Sequence, residues 1–322
     1  MSHGYLIISH VKMSKSAVTF NRWNSITKST WSFQVFNKYN DELNNMTWAH
    51  AGASKSIYKN LGLMGAKWKD PASKYFEFDV PKGEEAFLDL QSWSNSFNNF
   101  HNWVNLNSLM AISSNLETYI ATVVSLALES NPGILFDSPK SIDGVVLLKK
   151  GAKKSDFNQN IITSVTKGDW NSRVSAFKKT FGDTSSVVNF KIGDLEKIRN
   201  LRNKVGHAFG RDIDGSRNHE VKEILTIESL SDVKLKKYQK LIWSTAKSID
   251  VYLLNNHIGE FQAISFYHRL FDSIRKDIHQ SEKAIILKKK LGRFGDIVGK
   301  EFCKGLVLLW FRVAFGYDAY IF

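Results

Sequence analysis

An arginine and a histidine stand five positions apart in one apolar-patterned segment, LEKIRNLRNKVGHAF, as Arg202 and His207. Histidine can move protons at physiological pH, because its ordinary pKa lies near neutrality. Arginine binds phosphate through planar, paired N–H donors. Together they suit metal-independent RNA cleavage, in which the ribose 2′-hydroxyl attacks the neighbouring phosphate and a fixed cation neutralises the pentacoordinate phosphorus.

On a helical wheel this segment separates into an apolar arc, a solvated face and a polar stripe between them. The stripe contains Arg199, Asn203, Gly206 and His207, and Arg202 lies at the edge of the apolar arc. Asn203 precedes His207 by one helical turn, so it could orient the imidazole or hydrogen-bond a phosphate. The residues expected to face a core are Leu195, Ile198, Leu201, Val205 and Phe209.

Gly206 indicates a second packing surface along the polar stripe. A glycine inside a helix lowers helix stability by up to about 1 kcal/mol relative to alanine. Such a glycine usually allows another helix or a phosphate backbone to approach closely.

The same Arg-x4-His spacing also arises by chance, and in many helices such residues form a structural or solvated pair. Spacing alone therefore leaves both interpretations open.

The elements around this segment are predicted to be helical. Apolar residues recur at steps of three and four from about residue 104 until Asn131-Pro132-Gly133, where a helix should end. Further helices are predicted near 155, at 169–182, at 193–209 and at 232–256. Residues 104–258 are therefore predicted to form an up-down helical bundle in a mainly α fold.

Two flanking regions complete the predicted organisation. Residues 1–103 are aromatic-rich and irregular, and the alternation over Trp31–Phe36 suggests a short strand. Residues 259–322 form a basic helical extension. Its apolar stretch 305–322 is interrupted by Arg312 and Asp318, so it is predicted to be a buried terminal helix rather than a membrane span.

Charge and composition narrow the range of partners. The formal net charge of +13 favours polyanions such as RNA, DNA or an anionic membrane surface. A single cysteine, Cys303, excludes an intramolecular disulfide, and residues 1–16 lack the apolar core of a signal peptide. We therefore expect a cytoplasmic protein without stable membrane insertion. Neither metal-ligand spacing nor a phosphate loop occurs, so we expect no metal and no cofactor.

The motif segment and its helical setting also carry a family resemblance. The run from Arg202 to His207 resembles the R-[polar]-x3-H signature of HEPN domains (higher eukaryotes and prokaryotes nucleotide-binding). Leu116-Glu117-Thr118-Tyr119 resembles the first HEPN helix, and Trp170-x-x-Arg173 with Phe177–Phe181 resembles the middle region. The resemblance covers about residues 104–256, while the flanks match no family pattern.

The resemblance implies an endoribonuclease of toxin or phage-defence type that cleaves RNA, such as tRNA or mRNA. It implies a homodimer joined through the motif helix, and a partner protein such as an antitoxin or another defence component. Arg202 and His207 would be catalytic and Asn203 a supporting polar residue. Glu117 would orient the arginine or form an ordinary ion pair, and Arg199 is a further supporting candidate.

Basic residues outside the motif are candidates for binding RNA phosphates, although such clusters are ordinarily solvated faces. The alternative to an enzyme is a catalytically silent HEPN module that binds RNA or assembles with a partner effector. The candidate RNA-binding lysines are Lys149, Lys150, Lys153, Lys154 and Lys204.

Overall fold

The structure is a computed structural model, and it describes residues 20–79, 87–152, 157–182, 191–220, 222–272, 278–293 and 298–314. Within these ranges the chain is mainly α-helical, as the fold-class prediction stated, and it contains no strand. Short 3₁₀ segments lie at Ala72–Lys74 and Pro132–Phe136, and a π-helical turn at Leu254–Ile258. Helices α1 to α11 are Trp31–Leu63, Leu90–Ser130, Gly144–Lys149, Phe157–Thr166, Trp170–Phe181, Ile192–Ala208, Ile213–Arg217, Asp232–Leu253, Phe261–Asp272, Gln280–Gly292 and Lys300–Ala314.

The chain divides into two compact units. The larger unit comprises residues 28–142 and 153–258, and the smaller comprises residues 1–27, 143–152 and 259–322. Helix α2 runs without a break through residues 103 and 104, and the larger unit ends at Ile258.

Helix α2 is the centre of the larger unit, because α1, α4, α6 and α8 all pack against it. By length and composition it is also apolar enough to cross a membrane, but many of its apolar side chains form the core of the bundle. Burying each such side chain contributes about 1.5–3 kcal/mol. The fully buried residues of α2 include Leu106, Leu109, Val123, Val124, Ala127 and Leu128.

Local capping sets where the predicted helices begin and end. Helix α2 stops at Ser130, directly before Asn131 and Pro132, as the sequence predicts. Helix α5 begins after Asp169, whose side chain accepts the Ser172 N–H, and ends at Phe181, directly before Gly182, whose φ is 88°. These boundaries of α2 and α5 are confirmed.

Two predictions for the N-terminal region are wrong for the described residues: a strand at Trp31–Phe36, and an irregular fold. Helix α1 begins at Trp31, because the Thr30 side chain caps it by accepting the Phe33 N–H. Phe33 and Phe36 are buried at helical spacing, whereas Val35 is exposed. The alternation of apolar residues in this short window is misleading, since steps of two and of three to four cannot be separated over six residues.

A buried carboxylate fastens the start of α1 to α8. Asp250 is fully buried and accepts hydrogen bonds from the backbone N–H and the hydroxyl of Thr30 and from the Tyr119 hydroxyl. Burial raises the pKa of Asp250. The three donors offset part of the desolvation cost, and they fix α1, α2 and α8 to one another at this point.

The smaller unit contains α3, α9, α10 and α11. Arg22 is buried there, paired with Asp143 at 2.8 Å and stacked over the Trp23 ring. The terminal-helix prediction is confirmed for α11, which buries Cys303 and Leu306; residues 315–322 lie outside the described part.

The buried His257 predicts a loss of stability in acid. Burial lowers its pKa to about 4, so below the ordinary value near 6.5 the unfolded chain binds a proton that the folded chain does not. We expect wild type to lose about 3 kcal/mol relative to His257→Gln as the pH falls from about 7 to about 4. Urea unfolding of both proteins at several pH values measures this difference, and parallel curves would contradict it.

Candidate functional site

The motif helix α6 lies antiparallel to α2. Arg202 of α6 contacts Glu117 of α2, and four residues later Gly206 faces Met110. Further along the chain, Gly210 faces Leu106. Residue numbers therefore increase along α6 in the direction in which they decrease along α2, as in two antiparallel helices. The apolar side of α6 is anchored by two buried residues, and two more are partly buried against the same core. They are Leu195 and Ile198, then Leu201 and Val205.

Glu117 holds two arginines at once. Its Oε1 accepts from Arg173 Nη2 at 3.1 Å, and its Oε2 accepts from Arg202 Nη2 at 3.2 Å. The Arg173 side chain is only 6% exposed, and its Nε also donates to the Gly168 carbonyl at 3.0 Å. One carboxylate on α2 therefore fixes a buried guanidinium of α5 and a partly exposed guanidinium of α6.

Arg202 keeps donors available for a ligand. Its Nη1 donates to Asn203 Oδ1 at 3.2 Å and its Nη2 to Glu117. Arginine has five N–H donors, so the Nε–H and one hydrogen on each terminal nitrogen have no partner among the described residues. The guanidinium is oriented by the protein and is also able to bind an oxyanion.

His207 lies on the outer face of α6, one residue before the helix ends. It is exposed, and within the described chain its ring has no hydrogen-bond partner. The side-chain oxygen of Asn203, which was predicted to orient His207, accepts from Arg202. Five residues of α-helix separate two side chains by about 140° around the axis and about 7.5 Å along it. Within one chain, Arg202 and His207 therefore face different directions.

One expectation for the end of α6 is wrong. Phe209 does not face the core: it is exposed, because it adopts a left-handed conformation with a φ of 54° that ends the helix. The close approach predicted at Gly206 is not made by the described residues of this chain, and for a second chain or a phosphate backbone it stays a prediction. A Cβ added there would lie 3.9 Å from Met110 Sδ, which is an ordinary contact.

A shallow, partly open cleft with a volume of about 20 Å³, room for about one water molecule, lies beside Arg202. Arg199 lines it, and its Nε donates to both oxygens of Glu196 at 2.9 and 3.1 Å. These bonds hold the pKa of Glu196 below its usual range. The remaining lining residues are Ser113, Leu116, Glu117, Trp170, Arg173, Leu195, Ile198 and Ile242.

Sequence reasoning gave Arg173 no role in the site. A signal was present, because Arg173 follows Trp170 and precedes Val174 and Phe177 on the apolar face of α5. A charged residue on a buried face requires a partner. In the structure that partner is Glu117.

The candidate RNA-binding lysines fall into different places. Lys204 pairs with Glu228 at 2.7 Å, which raises the pKa of Lys204. Lys149 and Lys150 belong to the smaller unit, where the Lys149 ammonium lies 4.2 Å from the centre of the Trp310 ring. Lys153 and Lys154 lie outside the described residues. In the described part of the chain, no cluster of three His, Cys, Asp or Glu side chains could hold a metal ion.

No protein-family model, curated protein or solved structure matches this chain.

Truncation of Glu117 should destabilise the fold far more than truncation of Arg202. Glu117→Ala leaves the buried Arg173 without its carboxylate and should cost about 2–3 kcal/mol, slightly below the usual cost of breaking a buried pair because Glu117 is partly exposed. Arg202→Ala is the matched control, because Arg202 pairs with the other oxygen of Glu117 and is partly exposed. It should lower the free energy of unfolding by less than about 1 kcal/mol. Urea unfolding measures both, and equal costs would contradict the assignment.

Gly206→Ala should stabilise the isolated chain. The added methyl meets open space or ordinary contacts, and alanine favours a helix by about 0.5–1 kcal/mol over glycine. Thermal unfolding of dilute protein tests this expectation. A lower midpoint than wild type would show that something packs closely on Gly206 even in that preparation.

Proposed function

We propose that this chain is a metal-independent endoribonuclease of HEPN type, with Arg202 and His207 acting on the RNA. One observation supports it above the others. Arg202 is oriented by Glu117 at the edge of a shallow cleft and retains free donors, on the same helix that exposes His207 to solvent. If Arg202 and His207 were purely structural, both side chains would be expected to form hydrogen bonds within the chain.

The chemistry assigns a separate task to each residue. His207 removes the proton from a ribose 2′-hydroxyl, and the 2′-oxygen forms a bond to the adjacent phosphorus. Arg202 neutralises the charge that develops on the phosphoryl oxygens. The bond from phosphorus to the 5′-oxygen breaks, and that oxygen takes up a proton. The products are a 2′,3′-cyclic phosphate and a 5′-hydroxyl.

We further propose that two copies form the site. Because Arg202 and His207 of one helix point about 140° apart, one phosphate is contacted more readily by Arg202 of one copy and His207 of a second copy. Two-fold pairing of exposed α6 faces provides that arrangement, and Gly206 allows the helices to approach closely. By the family resemblance, the role is a toxin or phage-defence effector acting on tRNA or mRNA in the cytoplasm, restrained by a partner protein.

A second candidate function is a catalytically silent module that binds RNA or assembles with an effector. It is favoured by the pairing of Arg202 with both Glu117 and Asn203, and by the lack of any bond from the Asn203 side chain to His207 within the described chain. In a silent module, the motif residues would form a polar binding surface and would take no part in catalysis. Mutation separates the two candidates.

The test uses EDTA-treated protein with total RNA and with purified tRNA. We expect wild type to cleave, and Arg202→Ala and His207→Ala to lose at least about 100-fold in rate, because each removes a group used in the transition state. His219→Ala is the matched control, since His219 is also exposed but lies outside the motif. Intact RNA with folded wild-type protein, or equal cleavage by all variants, would favour the silent module or a contaminant.

Mixing the two inactive variants tests the shared site. If Arg202 and His207 act across two copies, a mixture that exchanges subunits should recover about a quarter of wild-type activity, since half of the dimers are mixed and each has one intact site. If both residues act within one chain, the mixture should stay inactive.

A further inference from the structure

A row of basic side chains runs along the outer face of α8. Four residues fall within about 60° of one another on a helical wheel, along about 17 Å of the helix, and they are Lys236, Lys240, Trp243 and Lys247. The core-facing residues of α8, such as Tyr238, lie on the opposite side. The first three members of the row are exposed and Lys247 is half-buried. We call these four residues the α8 stripe.

The lysines of the α8 stripe have no acidic neighbours along their own face of the helix. Residues 233–249 contain five lysines and no aspartate or glutamate. Neither Lys236 nor Lys240 forms a hydrogen bond or an ion pair with another residue of the described chain. Lys204 on α6, in contrast, is paired with Glu228 at 2.7 Å. The ammonium groups of Lys236 and Lys240 are therefore available to an external anion.

The carboxylates around α8 leave the stripe net positive. Asp232 at the start of the helix bonds the His101 ring at 2.8 Å, and Asp250 near its end is fully buried. The neighbouring stretch of α1, residues 31–50, contributes one lysine and two carboxylates. Over residues 31–50 and 232–250 together, six lysines stand against four carboxylates, and two of these four are the hydrogen-bonded aspartates of α8. The stripe is therefore complementary to a polyanion.

A fixed indole lies among the lysines of the α8 stripe. The Trp243 Nε1–H donates to Asn37 Oδ1 of α1 at 3.0 Å, and its ring packs on Phe33 with 6.3 Å between centroids. The Trp243 side chain nevertheless stays 45% exposed. One turn further on, the Lys247 ammonium donates to the Lys28 carbonyl at 3.2 Å. The indole is thus held in place with part of its surface open to solvent.

We propose that the α8 stripe binds an unpaired RNA strand. The lysines on both sides of Trp243 contact phosphates of the strand, while a base stacks on the exposed part of the indole. An anionic membrane fits this surface less well, because the stripe itself contains no aliphatic side chain that could enter the boundary of the acyl chains. That the strand is RNA rests on the proposed function, whereas the binding itself requires no catalysis.

The experiment measures binding of a short, fluorescein-labelled 2′-O-methyl oligouridine to the full chain by fluorescence anisotropy. This strand lacks the 2′-hydroxyl that the proposed cleavage needs, so wild-type protein can bind it without cutting it. We expect Lys236→Gln with Lys240→Gln to reduce the slope of log affinity against log salt by about 0.7 per lysine. Trp243→Leu should weaken binding at least about fivefold, and Trp243→Phe should retain most of it.

Two matched controls lie on other parts of the larger unit. Lys55 and Lys59 are exposed lysines of α1 with the same four-residue spacing, and Trp68 is 54% exposed. Lys55→Gln with Lys59→Gln, and separately Trp68→Leu, should leave the affinity and the salt slope unchanged. Thermal unfolding of every variant separates loss of binding from loss of the fold.

Equal salt slopes in the two lysine double variants, or unchanged affinity in a folded Trp243→Leu variant, would overturn this inference and leave the proposed ribonuclease activity untouched. Absence of binding by folded wild type would overturn it as well. Tighter binding of a matched oligodeoxyuridine would assign the stripe to DNA and overturn its assignment to RNA. Binding of the RNA strand through the stripe by a protein that cleaves no ordinary RNA would support this inference and contradict the proposed activity.

Discussion

The single carboxylate of Glu117 is the interaction on which the arrangement of the motif depends. Arg173 lies on the buried face of α5, and a buried guanidinium is stable only if it is paired and hydrogen-bonded. Glu117 satisfies it from the core helix α2, whose position the bundle fixes. The same carboxylate then has one oxygen left for Arg202. The orientation of the candidate catalytic arginine is thus a consequence of how the fold accommodates another arginine.

Sequence reasoning succeeded where the signals are local. The ends of α2 and α5 follow from Asn131-Pro132, Asp169 and Gly182, each acting through backbone geometry within a few residues. The wheel for α6 correctly predicted burial of Leu195 and Ile198. It failed at Phe209, because a wheel assumes that the helix continues, whereas the backbone turns left-handed at that residue. The pairing of Glu117 with Arg173, 56 residues apart, has no local signature.

The described part of the first hundred residues was misread for a different physical reason. Its many asparagines lower both helix propensity and hydrophobic periodicity. In the structure several of them connect helices. The Asn37 side chain accepts from the Trp243 indole at 3.0 Å, and that of Asn40 accepts from Asn115 at 2.8 Å. Tertiary hydrogen bonds and aromatic packing therefore compensate for weak local preference, and a linear pattern does not reveal such long-range partners.

The five-residue spacing of the motif also bears on how the proposed activity would be controlled. Spacings of three or four place two side chains on one helix face, so a site built that way would be complete in a single chain. Here Arg202 points toward α2 while His207 faces outward, and in the proposed dimer the pair forms one site only when the second copy covers the outer face of α6. Activity would then follow the population of dimers and rise steeply with concentration. A partner protein that occupied the outer face of α6 would silence the site without contacting Arg202, because excluding the second copy is sufficient.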